Sequence, residues 1–421
     1  MYRIFAALLA ATSCVAVAQA QETIAATSTT PVLTLDQAVA AAGGSAPAAD
    51  AAHAAIEAAQ AARTIAGLRP NPSVQTQFEN VAGSGQYRGF DSAETTVNFA
   101  VPIELGGKRS ARMAVADAQT DRAMLVSAIT QVDIRLQVTQ LYIEAAVAQR
   151  RQTIARDQFR IAGDVAKAAR VRVQAGRASP IEEQRADVAR INAEAAVERA
   201  ARLTSAAQAN LARRIGTTVS STVDPQWLDQ LPATAMGPGV EASAAGTLAL
   251  AAAQADLAVA DAQVTLARSQ RVPDLNVGPG LRRLSQTNDT ALVFSISMPI
   301  PLFNSGKAAV AQASAERIRA EAQTRMTALD IEQAITSTQA DADNAVLTAR
   351  AAVGPALAAA QEAARIARIG YREGKFGQLD LLDAERTLAE TRLAAIDALA
   401  AYQNARAQLE RLTAPAPQQG N

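Results

Sequence analysis

The sequence predicts a mainly α-helical chain with a small β part, written twice over in tandem. Three observations carry that expectation. Long alanine-rich tracts run without a helix breaker, two separate pairs of short segments alternate with period two, and both halves repeat one order of elements, with their turns at one fixed offset.

Composition sets the style of packing. Hydrophobic residues make up 49% of the chain, yet only 3% are aromatic, and the excess is alanine. Small side chains favour helices lying close together in thin layers over one thick core. With 40 basic and 40 acidic residues, the chain has no net field to draw in nucleic acid or an anionic surface.

The N-terminus reads as an export signal at 1–20. Arg3 gives a positive start, residues 4–18 are mostly apolar, and Ala18-Gln19-Ala20 is a small-x-small site predicting cleavage after Ala20. The apolar run is too short for a membrane anchor. A lipoprotein acylated at Cys14 is the other reading, but Ala11 stands where a large aliphatic residue belongs. Cleavage after Ala20 removes the single cysteine, so neither a disulfide nor a thiolate metal site is expected. No later apolar run reaches the roughly 20 residues of a spanning helix. An exported chain of this kind is periplasmic, secreted, or part of an outer-membrane β-barrel.

The first repeat is placed at 33–215. Residues 35–68 read as helix until Arg69-Pro70-Asn71-Pro72 breaks the pattern. Strands follow at 73–82 and 94–104: Val74, Thr76 and Phe78 alternate with Gln75, Gln77 and Glu79, and Val97, Phe99, Val101 and Ile103 with Thr96, Asn98 and Ala100. A helix is expected over 108–174, a turn at Gly176 to Pro180, and a helix over 181–214. Prolines and the single Trp227 mark 216–243 as an irregular equatorial linker.

The second repeat, 244–412, returns the same order. It has a helix to about Ser269, strands at 274–283 and 290–301, a long helix over 307–372, a turn at Gly374 to Gly377, and a helix over 378–412. Residues 413–421 read as a flexible tail. The turns superpose at an offset of 198 (374 − 176), which also pairs Arg177 with Lys375, Ala186 with Ala384 and Asp187 with Glu385.

A helical tract of about 65 residues is roughly 100 Å long, and such a rod needs lateral neighbours. Four strands leave two open edges and are too few to close on themselves. Either they form a small soluble sheet against the helices, or several chains pool them into one membrane barrel, since open edges are not tolerated in hydrocarbon. Alternation fits both readings. The export signal and the rod length favour the barrel.

The ordered set of elements resembles the TolC-type outer-membrane efflux channels over about 33–412. The segments "LRPNPSVQTQFEN", "FAVPIELGGKRSARMAVADA" and "RVPDLNVGPGLRR" followed by "ALVFSISMPIPLFN" are most similar to the CzcC-like cobalt–zinc–cadmium branch. The resemblance implies a homotrimer, with a 12-stranded outer-membrane β-barrel continued by a long α-helical barrel across the periplasm. It also implies partners: a periplasmic membrane-fusion adaptor, a proton-driven inner-membrane pump, and outer-membrane lipid. The strand ends "VPIELGGK" and "MPIPLFNSGK" then mark where barrel becomes tunnel, with Pro102, Gly107 and Lys108 in one joint and Pro299, Gly306 and Lys307 in the other.

By the same resemblance the two turns form the periplasmic tip. Adaptor-docking candidates are Gly176, Arg177, Ser179 and Glu182 in the first turn, and Gly374, Lys375, Phe376 and Gly377 in the second. "YREGKFGQLDLLDAE" matches the gate region and puts Tyr371, Asp380 and Asp383 at its lining positions. Asp380 and Asp383 are three apart and share a helix face, where a threefold axis makes them acidic rings; the plain alternative is a solvated face. Phe376 departs from the family pattern, which carries a basic residue there.

Chemistry beyond conduction finds little support. One histidine, His53, and no mature cysteine do not make an ordinary zinc site, so no metal site and no cofactor are expected. "ELGGKRS" is not a phosphate loop, because Pro102 stands where a glycine is needed and Arg109 follows the lysine. No catalytic residues emerge, and the chain reads as a non-enzyme. The expected function is a passive outer-membrane duct for heavy-metal cations. A duct for drugs or for a secreted polypeptide, and a soluble periplasmic coiled-coil scaffold, remain as alternatives.

Overall fold

The computed structural model describes residues 32–217, 222–232 and 242–417. The expected signal segment 1–20, with Cys14 and the cleavage site after Ala20, lies outside them.

A short strand β1 (Val32–Leu33) leads into α1 (Leu35–Ser45), which opens on a reciprocal cap. Thr34 Oγ1 accepts from the Gln37 amide at 3.3 Å, and Gln37 Oε1 accepts from the Thr34 amide at 3.1 Å. Read from sequence as one helix over 35–68, this tract in fact breaks. Ala46 is extended (φ −78°, ψ 122°), and α2 (Pro47–Ala66) begins at the next residue. A proline pushes its predecessor out of the α region while serving well as a first helical residue.

Strands β2 (Ser73–Glu79) and β3 (Glu94–Ile103) form a hairpin that feeds α3 (Lys108–Gln174), a helix of 67 residues and thus about 100 Å. After a tight turn, α4 (Pro180–Arg214) packs back along it. The linker 216–243 is more ordered than expected in its described part. It contains β4 (Thr222–Val223), parallel to β1, and a 3-10 turn at Pro225–Asp229. Asp224 Oδ1 caps that turn by accepting from the Gln226 amide at 2.9 Å. The partner of β4 lies almost two hundred residues upstream, beyond the reach of any local pattern.

The second repeat comprises α5 (Leu248–Ser269), β5 (Leu275–Leu284), β6 (Asp289–Ser297), α6 (Lys307–Ala351), α7 (Leu357–Arg372) and α8 (Gln378–Leu412). Two features differ from expectation. Strand β6 stops at Ser297 instead of 301, because Pro299 and Pro301 have no ladder donor. The tract 307–372 is not one α-helix: a π-helical turn at Ala352–Ala356 holds Pro355. Proline lacks the amide and crowds the carbonyl four residues back, and the widened turn absorbs both defects. The chain end is likewise no free tail through residue 417. Ala414 is buried, the Leu248 amide donates to the Ala414 carbonyl at 2.9 Å, and the Ala416 amide donates to the Gly246 carbonyl at 2.8 Å.

The main core lies at the waist, where α1, α3, α4 and α8 meet β4 and the 3-10 turn. Ala38, Val138, Leu211, Val223 and Leu228 are buried there with Tyr142. The Tyr142 hydroxyl donates to the Leu33 carbonyl at 2.9 Å and accepts from the Asp224 amide at 3.1 Å, and Trp227 meets the ring edge-on at 5.4 Å. Among the described residues, no helix is long and apolar enough to cross a membrane.

One antiparallel sheet gathers the four long strands in the order β2-β3-β5-β6. The β3–β5 pairing joins the repeats and leaves β2 and β6 as open edges. Opposed pairs such as Val74 with Phe99, Val97 with Leu281, and Val277 with Ile296 place the apolar side chains on one face. That face is bare: Leu292, Phe294 and Ile296 are 73%, 77% and 74% exposed. On the opposite face Arg282 donates to Thr96 Oγ1 at 2.9 Å, and pairs with Glu94 at 3.0 Å and Glu79 at 3.3 Å. One face is therefore mainly apolar and the other mainly polar, with Arg283 an exception on the apolar side, and the helices lie at one end of the sheet and the loops 80–93 and 285–288 at the other.

Candidate functional site

The tip is built twice on one plan. At the end of α3 the Arg177 amide donates to the Arg172 carbonyl at 2.8 Å and the Gly176 amide to the Val173 carbonyl at 2.9 Å. At the end of α7 the Lys375 amide donates to the Gly370 carbonyl at 2.8 Å and the Gly374 amide to the Tyr371 carbonyl at 3.1 Å. Both sets are the paired bonds of a Schellman cap, with Gly176 at φ 68° and Gly374 at φ 72° in the left-handed region that favours glycine. Gly377 is different: its φ of −75° is ordinary, and it serves as the N-cap of α8.

The two turns differ in their side chains. In the second, the Phe376 ring lies against Gly370, where a Cβ would fall inside van der Waals contact. In the first, Arg172 and Ala178 occupy the matching positions, and Arg172 reaches across to stack its guanidinium 4.9 Å from the centre of the Tyr371 ring. Tyr371 is buried, and its hydroxyl has no hydrogen-bond partner among the described residues. Behind it, Arg368 grips the buried Glu385 through two bonds, Nη2 to Oε2 at 2.7 Å among them. The hydrogen bond to Glu385, opposed by desolvation, holds the Arg368 guanidinium above its ordinary range. Arg170 faces Glu183 at 3.0 Å and Asp187 at 3.8 Å, the corresponding pair of the first repeat. An open cleft of about 770 Å³ lies between α3 and the α7–α8 hairpin, lined by Val165, Val171, Arg172, Tyr371 and Leu381.

The structure separates the three gate candidates. Tyr371 points into the cleft under Arg172. Asp380 Oδ2 accepts from the Gly377 amide at 2.9 Å and so caps its own helix, whereas Asp383 is exposed. Of the docking candidates, Gly176, Arg177, Ser179, Gly374, Lys375, Phe376 and Gly377 lie on the exposed rim. Glu182 is half-buried, and its carbonyl accepts from Gln378 Nε2 at 3.0 Å. Sequence reasoning overlooked the Arg368–Glu385 grip, although the 198-residue offset maps it onto Arg170 and Asp187.

At the other end of the helices, the joints interlock. Gly107 and Gly306, at φ 72° and 71°, start α3 and α6. Lys108 Nζ donates to Asp274 Oδ1 at 2.7 Å, and the Leu105 amide donates to the same oxygen at 3.2 Å. Arg112 holds Glu104 in a two-pronged pair, with Nη2 to Oε2 at 3.1 Å. The hydrogen bond from Arg112 depresses the Glu104 carboxyl. At Asp274 desolvation pushes upward, but Lys108 and the Leu105 amide outweigh it and the carboxyl also falls below its ordinary value. Pro102 lies in β3 opposite Asn276, Pro299 lies beyond β6, and Lys307 is exposed. Among the described residues, no group of three or more His, Cys, Asp or Glu is placed to hold a metal ion, and His53 is exposed on α2.

Rods of 100 Å capped by tight turns, and an open-edged sheet with one apolar face, together define a channel-wall protomer of tandem-repeat TolC-type fold. The chain belongs to the outer membrane efflux protein family, whose model matches residues 38–217 and 240–414. It is an outer-membrane protein whose helices extend into the periplasm. Among curated relatives it is 31% identical to the cobalt-zinc-cadmium resistance protein CzcC of Cupriavidus metallidurans, over 82% of this chain and 81% of that protein. It is 32% identical to the nickel and cobalt resistance protein CnrC of the same organism, over 62% of each. Among solved structures, a membrane protein from Pseudomonas aeruginosa superposes with a TM-score of 0.75 at 19% identity, covering 92% of this chain and 91% of that one. The outer membrane protein VceC of Vibrio cholerae gives 0.72 at 18%, covering 91% and 96%.

Proposed function

We propose that three copies of this chain close into one duct, the outer-membrane component of a tripartite complex that exports heavy-metal cations. The observation that carries this reading is the four-stranded sheet with an open edge on each side and its apolar face bare. Joining β6 of one copy to β2 of the next removes every edge, and twelve strands turn the apolar face to lipid and the Arg282 face to water. The helices then form a periplasmic barrel below. The protein has no catalytic chemistry of its own, so the driving force comes from an inner-membrane pump, coupled through an adaptor that docks at the rim around Gly176 and Gly374. The cargo is inferred from the metal-resistance relatives. Weak acidic contacts such as Asp383 suit passage better than a tight site does.

Deletion of the gene tests this directly. Sensitivity to zinc, cobalt or cadmium, restored by the intact chain, is the expected result. Unchanged metal tolerance with lost drug resistance would assign the duct to another cargo, and recovery of the protein as a soluble periplasmic monomer would refute the duct itself.

A further inference from the structure

The zero net charge of the chain conceals a local imbalance at the joints. Four connections link sheet to helices, and each carries a cation beside a large apolar residue: Leu68 with Arg69, Leu105 with Lys108 and Arg109, Val272 with Arg271, and Phe303 with Lys307. Arg112, one turn into α3, adds another cation. The only acids in these stretches, Glu104 and Asp274, are taken up by Arg112 and Lys108. Arg69, Arg109, Arg271 and Lys307 are exposed, and among the described residues none of them meets a carboxylate within ion-pair distance. The loops at the far ends of the strands hold no such excess: residues 80–93 and 285–288 carry Arg88 and Asp91 and no other charge.

The four connections also touch one another. Arg109 Nε donates to the Gly67 carbonyl, and Arg112 Nη2 donates to the Leu68 carbonyl at 3.3 Å. Asp274 ties the third connection to the second, and Arg271 Nε donates to the Ser305 carbonyl at 3.2 Å in the fourth. Arg109 and Arg271 are thus braced through Nε and exposed to solvent, and a guanidinium held in this way keeps two terminal nitrogens as a fork suited to phosphate. The fourth connection itself also bares Ile300, Leu302 and Phe303, and it continues into the apolar face of β6 at Ile296 and Phe294. A continuous cationic collar under an apolar band has the arrangement of a headgroup-binding surface.

We propose that this collar binds the headgroups of anionic phospholipids in the periplasm-facing leaflet of the outer membrane. The proposal rests on the reading that the sheet lies in that membrane. It commits to phospholipid, and not lipopolysaccharide, because the cations gather at the helix end of the strands. Bound headgroups offset the mutual repulsion of the collar and fix the height of the barrel in the bilayer.

The test uses the full-length oligomer in nanodiscs of mixed phosphatidylcholine and phosphatidylglycerol, with the lipids retained after brief delipidation counted by mass spectrometry. The wild type should retain phosphatidylglycerol preferentially at low salt and lose the preference in high salt. Lys307→Gln, which breaks no ion pair seen in the structure, should lower the preference by roughly fivefold at its site. The combined Arg69→Gln, Arg109→Gln, Arg271→Gln and Lys307→Gln variant should abolish it, while Arg88→Gln at the far end leaves it intact. Equal retention of the two lipids by the wild type, or an unchanged preference in both collar variants, overturns the proposal. Preferential retention of lipopolysaccharide when it is added overturns the assignment to phospholipid. Failure of the wild-type oligomer to enter nanodiscs overturns the membrane placement beneath both, a separately scored outcome.

Discussion

Gln378 Nε2 donates to the main-chain carbonyl of Glu182 at 3.0 Å, and this bond joins the two tip hairpins. Gln378 is the first residue of α8 and is buried, while Glu182 lies in the first turn of α4. The two return helices therefore start from a shared point. The repeats do not merely lie side by side at the tip; the second hairpin is latched to the first. A duct that opens at this end has to break or carry along that bond.

Replacing Gln378 by leucine keeps most of the volume and removes the donor. The expected cost is about 1 kcal/mol, the ordinary net worth of such a bond. It should be felt locally, as faster amide hydrogen exchange in both turns by roughly fivefold, with the waist core unaffected. Equal acceleration at the waist would show that the latch is not a local device.

The Arg368–Glu385 grip makes an asymmetric prediction. The Glu385 side chain is 4% exposed and that of Arg368 is 43% exposed. Removing the acid leaves a guanidinium that can turn to water, whereas removing Arg368 strands a carboxylate in the hairpin interior. Arg368→Ala should therefore destabilise the tip by more than Glu385→Ala, by roughly 2 kcal/mol in denaturant midpoints converted to free energy. Equal losses would mean that water reaches Glu385 in solution.

Gly370 and Phe376 should behave as a unit. Gly370→Ala puts a methyl group into the space of the Phe376 ring, and overpacking of this kind costs about 1–3 kcal/mol. Phe376→Ala should cost less, and adding it to Gly370→Ala should recover much of the loss. Additive effects in thermal unfolding of the double variant would contradict the contact.

These contacts show what the sequence discloses and what it hides. The helical tracts, the alternating strands and their tandem order are legible because period and repetition are local signals. Pro355 was visible, yet the alanine-rich pattern on either side runs straight through it; the defect is absorbed by a π turn that no pattern announces. The anchoring of Ala414 and Ala416 against 246–248 depends on a contact remote in sequence, so the segment reads as a tail. At the tip, Arg368 and Glu385 could have been found, since the offset maps them onto Arg170 and Asp187. The stack of Arg172 on Tyr371 could not, because it joins positions that the duplication does not pair.

The joints predict an acid limb. The carboxyls of Glu104 and Asp274 are both held below their ordinary values in the folded chain. The unfolded state then takes up protons first, so their contribution is complete above the ordinary carboxylate range, roughly pH 4 to 5, and is lost as pH falls through the lower folded values. Thermal stability should be flat from about pH 7 to 5 in this respect and decline below about 4. Glu104→Gln with Asp274→Asn should lower the plateau and flatten the decline. An unchanged acid limb in that variant would place the titrating groups elsewhere.

Asp380 and Asp383 share a helix face, but the structure gives them different work. Asp380 accepts from the Gly377 amide and caps α8, while Asp383 is exposed. Asp380→Ala should therefore cost stability, about 1 kcal/mol for a lost cap, and Asp383→Asn should cost almost none. Conduction should show the reverse order. If the threefold duct brings three copies of Asp383 near its axis, that ring attracts cations, and Asp383→Asn should reduce cation preference and divalent block in planar bilayers. Asp380→Ala should alter those properties less, because its carboxylate is already engaged with the backbone. Unchanged selectivity in Asp383→Asn, with oligomer and conductance intact, would return this acid to the role of an ordinary solvated side chain and move the search for the constriction to the buried Tyr371 hydroxyl.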